Sequence, residues 1–294
     1  MRGAAFPVDA YLEHLSDRDV TLLAGPAARR PGEARALLSI PEALAHALAA
    51  RRLFETVFAN AGADSLLAAS PFLVFAVAVE HAGRELGRMT YYSEWLGPHR
   101  RAAVFGAASL SEFLAQPQRR LFLAALLASY TRVASGSVIV RTARGLRRQR
   151  FSELDPVRLA HLLELAPEPE RAGVLRRLGD LALFLTGVFP DQVARRGFGS
   201  VEEQRLRRSA GGAPGALALD APAGAVGAAG AVGLLEALGA RSYRTAAGRL
   251  APSATAAELT DMADNFADAR RILNWLTEHV ILTQRASLFG EQGG

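Results

Sequence analysis

Cysteine and lysine are both absent from this chain of 294 residues. Without cysteine there are no disulfides, thiolate metal sites or cysteine nucleophiles. Without lysine, the P-loop lysine, the Schiff-base lysine and the ATP-binding lysine of kinases are excluded, and all 34 basic residues are arginine. A long apolar run is missing too. The longest uncharged apolar stretch, Ser65 to Val79, is shorter than the roughly 18 residues of a membrane span and is interrupted by Pro71. Met1 to Ala10 carries one arginine and no apolar core segment, so no secretory signal is read there. A cytoplasmic location without membrane contact is expected.

Catalytic and metal motifs are equally scarce. None of the six histidines has a glutamate three residues before it, and no His-Glu-x-x-His is present. There is no Gly-x-Ser-x-Gly. Gly224, Gly227 and Gly230 lack the Gly-x-Gly element of a dinucleotide loop, and no buried strand precedes them. Neither a cofactor nor a metal is expected.

What is present is apolar residues and arginine. Half the residues are apolar and 21% are charged, the balance of a packed globule rather than a disordered chain. The formal net charge is +5. Arginine pairs are scattered from Arg29–Arg30 to Arg270–Arg271. With abundant alanine and glycine, they fit a GC-rich coding bias and solvated helix faces.

The patterning predicts a mainly α protein: a compact multi-helix domain with one small β-hairpin and a C-terminal helical pair. Pro41 opens a helix whose stripe is Leu44, Leu48, Phe54 or Val57, and Phe58. Ser70 caps a helix from Pro71 that is apolar on every side, with Phe75 in the core. Ser109 or Ser111 caps a short helix, and residues 118–133 form another apolar helix. Met89 to Leu96 reads as a strand or an ordered loop. Val138, Ile139 and Val140 favour a strand, and Asp155 caps the helix after the hairpin. Residues 209–230, rich in Gly, Ala and Pro, read as a linker or mobile loop between a domain of residues 1–208 and the pair in 231–294. In the last helix, residues 255–283, Leu259, Phe266, Leu273 and Val280 recur every seven residues beside Met262, Ala269 and Leu276. That stripe docks on its own domain or supports self-association.

The hairpin near residues 137–151 is the leading functional candidate. A two-residue Arg144-Gly145 turn would set Arg141 opposite Arg148 and Ile139 opposite Arg150. One face would carry Arg141, Arg148 and Arg150, with Arg144 at the tip. Like charges directly opposite are unfavourable, and an anion would relieve them. The expected partner is nucleic-acid phosphate or an acidic protein. A helix followed by a basic hairpin resembles the wing of a winged-helix domain, but residues 118–133 are apolar where a recognition helix is polar.

The second candidate, for a ligand or an interface, is Tyr91, Tyr92, Trp95 and His99. Tyr and Trp combine apolar area with a polar tip, which suits pockets and interfaces as well as a loop sealed onto the core. Glu258, Asp261, Asp264 and Asp268 read as a solvated acidic face at the positive end of a helix dipole. The predicted function is therefore a non-enzymatic binding or scaffold protein. The alternative is a helical enzyme or small-molecule-binding protein with an aromatic/His/Glu pocket near residues 80–99. His81, Glu80 and Glu94 are its first suspects.

Overall fold

Proline punctuates the helices. The computed structural model describes residues 6–28, 30–59, 69–131, 135–142, 145–152, 154–209 and 228–282. Six of its helices begin on a proline, whose fixed φ suits a first turn and whose missing N–H is not needed there. In chain order the elements are α1 (Val8–His14), α2 (Asp17–Ala24), α3 (Pro31–Leu38), α4 (Pro41–Ala49), α5 (Arg51–Phe54) and α6 (Pro71–Leu86). Strands β1 (Tyr91–Gly97) and β2 (Arg100–Phe105) follow, then α7 (Ala107–Leu114) and α8 (Pro117–Ser129). Strands β3 (Ser135–Thr142) and β4 (Gly145–Ser152) precede α9 (Pro156–Leu165), α10 (Arg171–Val188), α11 (Pro190–Arg196) and α12 (Ser200–Ser209). The described chain closes with α13 (Ala228–Arg249), α14 (Ala254–Asp264) and α15 (Phe266–Leu276).

The protein is mainly α, as predicted, and its described residues carry two separate two-stranded sheets, β1–β2 and β3–β4. The second hairpin in the chain is the expected one. The first forms where the sequence reads as a strand or loop. Gly97 has φ 155° and His99 φ 57°, so Pro98-His99 turns the chain with proline at the second turn position and positive φ at the third, the type II pattern.

The chain divides into two compact units: residues 1–94, 103–131 and 271–294 in one, residues 95–102 and 132–270 in the other. In the first, α6 packs against α4, α5, α7 and α8. Phe72, Leu73, Ala76, Val77, Ala78, Val79 and Ala82 are all buried. Phe75, expected in the core, is only half-buried, as is Val74 beside it. In the second unit, α10 lies along α13, and α9, α11, α12 and α14 pack around them. The helices on both sides of the expected linker therefore share one unit. The Gly/Ala/Pro segment is bounded by α12 and α13, and residues 210–227 lie outside the described residues.

Local caps match the sequence where their chemistry is local. Ser70 Oγ accepts from the backbone N–H of Leu73 (3.2 Å), and Asp155 Oδ1 from that of Val157 (3.0 Å). At α7 the cap position belongs to Gly106, with φ 131°, and not to Ser109 or Ser111. Two expected helices are divided. The helix from Pro41 breaks at Ala50 (φ −65°, ψ 123°), where Arg84 Nη1 takes the carbonyl of Ala49 at 2.5 Å. The last helix breaks at Asn265, whose side-chain amide donates to the carbonyl of Asp261 (2.9 Å) and to its carboxylate (3.1 Å). All seven stripe residues, Leu259 through Val280, are buried within this chain.

Candidate functional site

The β3–β4 hairpin is antiparallel, with Thr142 paired to Gly145, Arg141 to Leu146, Ile139 to Arg148 and Ser137 to Arg150. This register corrects the expected one. The two-residue loop is residues 143–144, so Arg141 does not stand opposite Arg148 but diagonal to it. The two registers differ by an even step and leave the alternation unchanged, which is why patterning could not choose between them. No acidic residue occurs anywhere in Ser135–Ser152, which holds five arginines: Arg141, Arg144, Arg147, Arg148 and Arg150. Cross-strand charge pairing within the hairpin is therefore excluded. Arg144 lies outside the described residues, as does the exposure of the strand arginines. β4 runs beside α9.

The aromatic candidates separate into two kinds. Tyr92 and Trp95 are core residues, 5% and 6% exposed. The Tyr92 hydroxyl donates to Glu94 Oε2 at 3.0 Å, and Arg271 Nε donates to the same oxygen at 2.8 Å. Trp95 Nε1 donates to Asp191 Oδ1 at 2.7 Å, with Arg101 3.9 Å from that carboxylate oxygen. These groups seal strand β1 onto the units it belongs to. Tyr91 and His99 are exposed; Tyr91 meets Phe105 edge-on, at a ring separation of 6.3 Å.

The acid–base suspects are each held by structural partners. Arg120 Nε lies 2.8 Å from Glu80 Oε1. Its N–H is not aimed along that line, so the contact is an ion pair and not a well-formed hydrogen bond. Burial raises the Glu80 carboxyl above the ordinary range, and Arg120 and Arg84 only partly oppose it. The same burial, reinforced by the Glu80 charge, pushes the Tyr11 hydroxyl up. His81 stacks on Phe54 with ring centroids 3.8 Å apart, and burial lowers its pKa despite Glu85 nearby. Tyr11 and Arg120 escaped the sequence reading because neither sits in a motif. Only packing brings them to Glu80.

The acidic residues of α14 and α15 are not uniformly solvated. Asp264 is exposed, but Glu258, Asp261 and Asp268 are half-buried. Burial raises the pKa of Glu258, with Asp180 and Asp261 adding to the rise and Arg176 opposing it. Asp180 is likewise raised by burial, against Arg176, Arg177 and the Tyr243 hydroxyl, which donates to it at 2.8 Å. Among the described residues, no group of three His, Cys, Asp or Glu is placed to hold a metal ion. Nor is any helix there long and apolar enough to cross a membrane.

No family model, curated protein or solved structure matches this chain.

Proposed function

We propose that this is a non-enzymatic helical binding protein whose β3–β4 hairpin contacts a polyanion, with nucleic-acid phosphate as the partner. The observation that carries this reading is the hairpin's charge: five arginines in Ser135–Ser152, no carboxylate among them, and a register that offers none across the strands. Arginine grips phosphate through paired N–H donors, and phosphate contacts supply affinity without sequence preference. The second support is the fate of the acid–base suspects, since Glu80 and Glu94 are each committed to an arginine.

The test is a salt titration of binding to a mixed pool of short duplex and single-stranded DNA and RNA. Affinity falls steeply with salt if phosphates dominate, by about 0.9 in log–log slope per phosphate contact on duplex DNA. Changing Arg141 and Arg148 together to glutamine lowers that slope by about two and weakens all sequences alike. Absence of salt-sensitive binding at low ionic strength, or equal binding by the double variant, refutes the reading.

A further inference from the structure

The second unit holds a cleft that the hairpin reading does not use. Its volume is about 210 Å³, and it opens where α9, α10, α12 and α13 meet. Leu163 and Leu175, 8% and 2% exposed, line it with apolar surface. Arg171, Arg208 and Arg249 line it too, together with Thr245. Three arginines from three different helices around one small cavity suit a negatively charged group.

The charge there is not balanced. Glu168 pairs with Arg171 at 3.0 Å and also with Arg249. Glu164, itself on the cleft wall, has Arg205 3.9 Å away. The buried Nε of Arg205 makes no hydrogen bond. Arg208 makes no ion pair among the described residues; its Nε reaches only the carbonyl of Gln204, at 3.4 Å. Among the described residues, four guanidinium groups thus meet two carboxylates there, a positive excess. The cleft is smaller than the roughly 300–1,000 Å³ of pockets that enclose drug-sized ligands. It has room for an anionic head and a short apolar body.

We propose that this cleft binds a small organic dianion, a phosphate monoester with a compact apolar group. Arg208 supplies donors to the phosphate, Thr245 adds a hydroxyl, and the apolar group lies on Leu163 and Leu175. Arg171 and Arg249 hold Glu168 in the free protein and complete the positive field around the phosphate. The site is independent of the hairpin, so either proposal can fail without the other.

Phenyl phosphate is the probe, titrated into the full chain by calorimetry beside inorganic phosphate and benzyl alcohol. Phenyl phosphate binds, several-fold tighter than inorganic phosphate, and benzyl alcohol does not bind. Arg208→Gln, on an exposed side chain, weakens phenyl phosphate about tenfold, the scale of one charge-assisted hydrogen bond. Thr245→Val, nearly isosteric, weakens it about threefold to tenfold. The Arg141/Arg148 glutamine double variant binds it as the wild type does. Equal binding by Arg208→Gln and wild type overturns the proposal. So does inorganic phosphate binding as tightly as phenyl phosphate, and so does loss of binding in the hairpin variant.

Discussion

Replacing Gly239 with alanine should destabilise the protein, against the ordinary preference of helices. Gly239 is buried in the middle of α13. A Cβ built there would lie 2.4 Å from Phe266 Cζ, 2.6 Å from Phe266 Cε2 and 2.9 Å from Ala182 Cβ. Phe266 is itself 2% exposed and Ala182 sits inside α10, so neither can swing away into solvent. Alanine gains ~0.8–1.0 kcal/mol over glycine in a helix interior. Overpacking a filled core costs ~1–3 kcal/mol, and contacts this short belong at the upper end. The expected net loss is about 1–2 kcal/mol. The control lies on the same helix: Gly233 is exposed and a Cβ there meets nothing within 4 Å, so Gly233→Ala should stabilise by ~0.5–1 kcal/mol. Urea unfolding of both variants, with the m-value checked for constancy, reads the difference. Adding Phe266→Leu should recover part of the Gly239→Ala loss through a coupling of ~0.5–3 kcal/mol. A Gly239→Ala protein as stable as Gly233→Ala would refute the close approach of α10, α13 and Phe266.

Two further predictions concern polar groups. Asp19 is fully buried and is the third residue of α2; its carboxylate accepts from the backbone and hydroxyl of Ser16 at 2.8 and 2.7 Å, and from the backbone N–H of Ser70 at 2.8 Å. Asp19→Ala removes a capping box and orphans the Ser70 donor, so it should cost ~2–4 kcal/mol in thermal or urea unfolding, and a loss under ~0.5 kcal/mol would sink that account. Glu258 and Asp180 have raised pKa values in the folded protein, chiefly through burial, so the native state holds protons that the unfolded chain has already released. Stability from these groups is full below their unfolded pKa values and is lost as pH rises through the folded ones. Glu258→Gln should therefore flatten the fall in stability above about pH 4, measured by urea unfolding across acidic to neutral pH, and an unchanged profile would count against burial as the cause.

Sequence alone determined the class of this protein and its local punctuation. An apolar stripe at helical spacing and a Ser or Asp before a proline act over a few residues, so the core helix α6 and the caps at Ser70 and Asp155 stand where the pattern places them. The β-branched run at Val138–Val140 likewise makes a strand wherever it packs. Tertiary structure decided everything that depends on long separations. Glu94 meets Arg271, 177 residues away, and Trp95 meets Asp191, 96 residues away, which turned two chemically attractive side chains into sealed, hydrogen-bonded supports. Packing also sets Arg120 beside Glu80 as an ion pair and buries the seven residues of the stripe. The hairpin register is the intermediate case: alternation fixes which positions share a face, while closure at Thr142 and Gly145 fixes which residues stand opposite. The arginines around Leu163 and Leu175 come from three helices, α10, α12 and α13, spread over residues 171–249, and no local pattern marks them. Such a cleft exists only once α9, α10, α12 and α13 pack, because packing alone brings charges so distant in sequence within reach of one anion.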